Sequence, residues 1–223
     1  EYYHKALSIK PDHAESYNNM GNALKNKGDF DGAITQFKNA IKIKTGFAEA
    51  HYNLGVVLEE QGDFNTSLHQ YRKAAEIKPN YFKAHLNVGN ILMQSGDLKP
   101  AIESYGQAIK INANYANAYL NMGVALMGLG NLDAAIESYR QAIKIKPEYA
   151  EAHLNMGIVL SDKGEFDAAM ASYKKAIKIK SDYAEAYHNI GTVLKSMGKL
   201  KSAMSASFTL QAGSQDGFQG APC

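Results

Sequence analysis

The chain repeats itself. An Asn-x-Gly triplet ends at Gly21, Gly55, Gly89, Gly123, Gly157 and Gly191, each 34 residues after the one before. The octet beginning at Ala48, Ala-Glu-Ala-His-Tyr-Asn-Leu-Gly, returns at Ala116 as Ala-Asn-Ala-Tyr-Leu-Asn-Met-Gly and at Ala150 as Ala-Glu-Ala-His-Leu-Asn-Met-Gly. A period of this length is one supersecondary unit, too small to bury its own apolar face, so stability has to come from stacking on neighbours. In this phase the repeats are 14–47, 48–81, 82–115, 116–149 and 150–183, followed by a degenerate terminal repeat, 184–212, and an irregular tail, 213–223. Residues 1–13 read as the second helix of a partial repeat.

Each repeat reads as two helices. The first has apolar residues at helical spacing, as in Tyr119, Met122 and Leu126, and stops at a glycine such as Gly130, free to take the left-handed conformation that closes a helix. The second runs from about Asp133 through Ala135, Ile136, Tyr139, Ala142 and Ile143. Asp31, Asp133 or Asp167 stands near its start and lysines such as Lys144 and Lys146 near its end, each sign suited to the helix dipole there. Pro100 falls in a first turn, where its missing N–H removes no bond. Small residues such as Gly123, Ala135 and Ala142 let paired backbones approach, while Tyr139 and Leu126 fill the remaining volume. The expected fold class is all-α, built of stacked antiparallel helix pairs.

This pattern resembles the tetratricopeptide repeat family: Gly at the eighth position, Ala at the twentieth, Tyr or Phe at the twenty-fourth and Ala at the twenty-seventh, through residues 1 to about 206. It departs from the family where the usual Trp is Tyr17, His51, His85, Tyr119, His153 or Tyr187, where the usual eleventh-position Tyr is Leu, and where the late Pro occurs only as Pro11, Pro79 and Pro147. The resemblance implies a right-handed α-α superhelix whose first helices line a concave face, with protein or peptide as the ligand.

Of the positions that the resemblance turns toward that face, the sixth is Asn in every repeat: Asn19, Asn53, Asn87, Asn121, Asn155 and Asn189. An amide side chain offers one acceptor and two donors, enough to pair with the N–H and C=O of one peptide unit. Packed helices lie roughly 10 Å apart and an extended chain advances about 3.3 Å per residue, so successive asparagines meet about every third ligand residue. The array is in this respect similar to the repeat domain of the O-linked N-acetylglucosamine transferases, whose asparagines hold extended polypeptide. The alternative is that each Asn packs against the neighbouring repeat. Flanking positions carry specificity: Tyr52, Leu86, Leu120 and Leu154 at the fifth, Val56, Asn90, Val124 and Ile158 at the ninth, and Met93 and Met127 at the twelfth, forming a central apolar strip. Its ends are polar, with Asn18, Asn22 and Lys25 on one side and His188, Thr192 and Lys195 on the other.

Charge and cysteine content narrow the partners. A formal net charge of +2 gives no field suited to a phosphate backbone, so no nucleic acid is expected. The single cysteine, Cys223, excludes an intrachain disulfide and fits a cytoplasmic or other reducing compartment. No apolar run reaches the roughly 20 residues of a membrane span, and the N-terminus lacks a signal-peptide pattern. The absence of an initial Met suggests a piece of a longer protein. The clamp that some family members use for chaperone C-termini needs Lys at the fifth position, Asn at the ninth and basic residues at the second and sixth; only Lys83 at the second and Asn22 and Asn90 at the ninth fit it, so chaperone C-termini are not expected as ligands. His51, His85 and His153 recur at one helix-start position, too far apart to share a metal ion, and the helix-start carboxylates do not pair as general acid and base. No catalytic residue, metal or cofactor is expected. After Ala206 the pattern fails, with Ser207 where an aromatic belongs; Met204, Phe208 and Leu210 are then partly uncovered, self-association through such ends is open, and residues past about 212 are expected to be non-helical. The expected function is a noncatalytic scaffold for an extended polypeptide; the alternative is the substrate-recognition arm of a larger glycosyltransferase or sulfotransferase.

Overall fold

A computed structural model describes residues 2–198, and the expectations for Met204, Ser207, Phe208, Leu210 and the tail lie outside them. The backbone is helical, in two compact units. The first holds α1 (Tyr2–Ile9), α2 (Ala14–Asn26), α3 (Phe30–Ile43), α4 (Ala48–Glu60), α5 (Phe64–Ile77), α6 (Phe82–Gln94), α7 (Leu98–Ile111) and α8 (Ala116–Gly128). The second holds α9 (Leu132–Ile145), α10 (Ala150–Asp162), α11 (Phe166–Ile179) and a helical stretch, 184–198.

The turn inside each hairpin is set by glycine. Gly28, Gly62, Gly96, Gly130 and Gly164 all have positive φ, from 75° to 83°, a region that costs a residue with a Cβ. At the end of α4, Gly62 N–H donates to the Glu59 carbonyl at 2.9 Å and Asp63 N–H to the Leu58 carbonyl at 2.9 Å, the paired bonds of a Schellman motif. Asp63 then opens the next helix: its carboxylate accepts the Thr66 N–H at 3.1 Å, as Asp29 accepts that of Gly32 at 2.9 Å. The cap in α3 thus stands two residues before Asp31, the acid that the sequence singles out.

First helices begin differently. Phe47, Tyr81 and Tyr149 precede them without a side-chain cap, and a lysine lies over each ring: Lys44 over Phe47 at 4.8 Å, Lys78 over Tyr81 at 5.0 Å and Lys146 over Tyr149 at 4.3 Å. Lys44 also reaches Glu15 at 3.1 Å and Lys78 reaches Glu49 at 2.7 Å. These lysines bind their own repeats through cation–π and ionic contacts, beyond complementing a helix dipole.

Within the hairpins an aromatic ring from the second helix lies on a glycine of the first. A Cβ on Gly55 would stand 2.8 Å from the Tyr71 ring, on Gly89 2.6 Å from Tyr105, and on Gly21 2.6 Å from Phe37. In the second unit the same holds for Gly157 and Tyr173 at 2.6 Å. Phe37, Tyr71 and Tyr105 are fully buried, and each such ring contributes about 1.5–3 kcal/mol of apolar burial. Ala33, Ala40, Ala74, Ala101 and Ala108 close the space around them.

Candidate functional site on the first helices

In the first unit the inner side can be identified from helix neighbours. α2 meets α4 and α6 meets α8 directly, with no comparable pairing among α3, α5 and α7. First helices are therefore the closer set, and their facing side is the inside of the curve. Hydrogen bonds run along it from repeat to repeat. Asn53 Nδ2 donates to Asn18 Oδ1 at 2.9 Å, Asn87 Nδ2 to the Tyr52 hydroxyl at 3.5 Å, and Asn121 Nδ2 to Asn90 Oδ1 at 2.9 Å. Each link joins a sixth-position amide to the fifth or ninth position of the preceding repeat.

Tyrosines of the second helices reach this network from below. Tyr71 donates its hydroxyl to Glu59 Oε2 at 2.6 Å, and Tyr105 donates to Asn90 Oδ1 at 3.1 Å. Burial first, then the Glu59 carboxylate, push the Tyr71 phenol well above its ordinary pKa, and burial does the same at Tyr105. Both therefore stay protonated donors. Tyr52 packs between Tyr71 and Tyr81, with ring centroids 5.5 Å and 5.0 Å away, and burial raises its pKa as well. Burial followed by Tyr52 pushes the Tyr81 phenol up to about 12. Glu59, Tyr71 and Tyr105 were not among the residues picked from sequence. The variation from Phe37 to Tyr71 and Tyr105 at one repeat position was the available signal.

The structure divides the sequence-derived site residues. Asn53, Asn87, Asn90 and Asn121 are half-buried and joined in the inter-repeat links, with one amide N–H of each sixth-position side chain already engaged. Asn19 is exposed, and Asn155 and Asn189 are half-buried in the second unit. Tyr52, Val56, Met93, Val124 and Met127 in the first unit and Ile158 in the second are half-buried, each showing part of its surface. The fifth-position leucines require a correction. Leu86, Leu120 and Leu154 are only 8%, 3% and 2% exposed, so they belong to the interior and not to an exposed apolar strip. Leu86 packs in a cluster with Tyr71, Ile91 and Tyr105. Asn18, expected at the polar rim, is likewise buried, where it accepts the Asn53 amide.

The histidines serve their own loops. His51 Nε2 lies 3.3 Å from the Thr45 carbonyl, His85 Nε2 3.0 Å from that of Pro79, and His153 Nε2 3.1 Å from that of Pro147. Among the described residues no three His, Cys, Asp or Glu side chains are placed to hold a metal ion, and no helix is long and apolar enough to cross a membrane.

Known proteins match this geometry. Family models described as TPR repeat match residues 21–62, 89–130, 125–164 and 159–198, and models described as tetratricopeptide repeat match 48–81 and 2–35. No curated protein matches the chain by sequence. Among solved structures it is similar to YrrB, a TPR protein with an unusual peptide-binding site, at TM-score 0.77 and 24% identity over 84% of this chain and 97% of that one. It is similar to MamA at TM-score 0.70 and 30% identity over 74% of this chain and 97% of that one. PilF of Pseudomonas aeruginosa aligns at TM-score 0.70 and 18% identity over 89% of this chain and 90% of that one. Repeat models and solved relatives agree with the helical hairpins and their glycine-seated rings: the chain belongs to the tetratricopeptide repeat family, an all-α protein-interaction scaffold.

Proposed function

We propose that the inner face of the first helices receives an extended polypeptide, held mainly by backbone hydrogen bonds to the sixth-position asparagines. The observation that carries this reading is the state of those amides. Asn53, Asn87 and Asn121 each donate one N–H to the preceding repeat, which fixes the side chain's rotamer. A planar amide fixed through its N–H groups retains a carbonyl oxygen that accepts the N–H of a ligand peptide unit; at Asn87 and Asn121 the amide also faces the Tyr71 and Tyr105 hydroxyls. The inter-repeat links thus preorganise the amides, which lowers the entropy lost on binding. Half-buried Val56, Met93 and Val124 flank this row and take apolar ligand side chains, while Glu59 and Lys83 give it local charge.

The test is a peptide selected from a random display library against the protein, titrated against parent and variants. Asn19 is exposed at the sixth position of the first unit, so Asn19→Ala should weaken binding by about 1 kcal/mol per lost hydrogen bond without altering the melt. Asn87→Ala and Asn121→Ala should weaken it similarly and also lower the melting temperature slightly, because each removes an inter-repeat link. Affinity unchanged in all three variants excludes the asparagine row as the contact.

A further inference from the structure

The inter-repeat links of the first unit differ in where their hydrogen bonds end. At the twelfth position of successive first helices stand Lys25, Glu59 and Met93, and the second helices that follow them carry Phe37, Tyr71 and Tyr105. Around Tyr71 the bonds run in one sense. Its hydroxyl gives its only proton to Glu59 Oε2 at 2.6 Å, so toward the Asn87 amide that also faces it this oxygen can only accept. Asn87 Nδ2 lies 3.5 Å from the Tyr52 hydroxyl as well. The N–H side of Asn87 is thus turned to two phenols, and its carbonyl oxygen is left over. The chain of bonds ends on Glu59, a half-buried carboxylate whose charge adds to burial in raising the Tyr52 phenol. Among the described residues no basic side chain pairs with it: Lys44 is held by Glu15 and Lys78 by Glu49, and neither Lys25 nor Lys83 on the neighbouring first helices forms an ion pair with it. The cluster therefore has a surplus of acceptors and an uncompensated negative charge. Around Tyr105 the bonds end on neutral atoms instead. That hydroxyl donates to Asn90 Oδ1 at 3.1 Å, with Met93 Sδ 3.6 Å away, and the same Asn90 oxygen takes the Asn121 amide at 2.9 Å.

We infer that Glu59 reads a lysine or arginine side chain of the polypeptide laid along the first helices, and that the next repeat, at Met93, reads an apolar one. This rests on the asparagine row as the seat of the ligand and adds to it the ligand's chemical class. A cationic side chain at Glu59 and Asn87 Oδ1 brings the donors and the charge that the cluster lacks, whereas an acidic one meets like charge and acceptors without protons. The bond from Tyr71 holds the carboxylate before the ligand arrives, so less side-chain entropy is lost on binding. With packed helices roughly 10 Å apart and about 3.3 Å per extended ligand residue, the apolar ligand residue lies about three positions from the basic one. As one half-buried pair, the contact is screened only weakly by salt.

The probe is a random peptide display library, selected in parallel against the parent and against Glu59→Gln, which keeps an acceptor for the Tyr71 hydroxyl and removes the charge. Peptides selected on the parent should carry Lys or Arg at one fixed position, about three residues from an apolar one, and those selected on the variant should lose that preference. In a double-mutant cycle, replacing the basic ligand residue by Gln should lower affinity about tenfold for the parent and less than about twofold for Glu59→Gln. Glu59→Lys should in turn favour the ligand with Glu at that place. A Glu59 that only supports Tyr71 produces no such coupling, because that role is blind to ligand sequence. Peptides that depend on Asn87 and Asn121 yet show no basic preference overturn the inference and leave the asparagine row standing. So does a basic residue whose loss costs Glu59→Gln as much as the parent. Coupling to Glu59 with affinity indifferent to the asparagine variants supports the charge contact and overturns the row. A library that yields no binder overturns both.

Discussion

At the scale of single residues, the glycine and aromatic positions are the most demanding part of the repeat. Gly89 and Gly106 both sit inside helices, where replacement by Ala ordinarily gains about 1 kcal/mol of helix propensity. At Gly106 nothing stands within 4 Å of an added Cβ, so Gly106→Ala should stabilise by about 0.5–1 kcal/mol. At Gly89 the same methyl meets Tyr105 at 2.6 Å, and that ring is fully buried and tied by its hydroxyl to Asn90. It has nowhere to go. Overpacking of this kind costs about 1–3 kcal/mol and outweighs the propensity gain, so Gly89→Ala should melt lower than the parent. The hydroxyls give a second contrast. Tyr71→Phe removes a 2.6 Å bond to Glu59 and should cost about 1 kcal/mol, whereas the Tyr139 hydroxyl is buried without a partner, so Tyr139→Phe should be neutral or stabilising by up to about 1 kcal/mol in a urea titration. The seat of ring on glycine was legible in the sequence, because both residues recur with the period. The bonding of the amides was not. Which atom receives the Asn53, Asn87 or Asn121 N–H depends on whether the preceding repeat presents Asn18, Tyr52 or Asn90, and that part of the pattern varies.

At the scale of helices, start and stop signals differ between the two members of a hairpin. Second helices in the first two repeats begin at an aspartate that accepts a backbone N–H, and Asp29→Ala should therefore cost about 0.5–2 kcal/mol. A chemical-shift map should show fraying in the first turn of α3, with α2 unaffected, because α2 begins at His13 without a side-chain cap. Equal loss in both helices would mean that the cap is unimportant. Both helices of each hairpin are legible in the repeat pattern, whereas the exposure of the first helix's fifth position is not. Position within a family repeat tells which way a Cα–Cβ bond points, yet coverage depends on the reach of neighbouring side chains. That is why Leu86, Leu120 and Leu154 are buried while Val56, Val124 and Ile158, four residues further along their helices or one repeat away, remain partly open.

At the scale of the whole molecule, the charges are local. Basic and acidic residues nearly balance at 24 and 22, and many lysines are engaged close to home: Lys44 with Glu15 and Phe47, Lys78 with Glu49 and Tyr81, Lys163 with Asp133 and Glu165. Such exposed pairs add little stability each, typically about 0–1 kcal/mol, and they leave no continuous field to draw in a polyanion. The proposed ligand contacts are amide hydrogen bonds and apolar side chains, which salt screens weakly. Peptide affinity at the asparagine row should thus change by less than about threefold between about 50 and about 500 mM salt. A nucleic acid held through several phosphates would instead lose orders of magnitude over that range, since each phosphate contact releases counterions on binding. Fluorescence anisotropy of the selected peptide across the salt series separates the two cases. A steep loss would show that ions rather than amides hold the ligand, and would shift attention from the asparagines to Lys25, Glu59, Lys83 and Lys195 on the same helices.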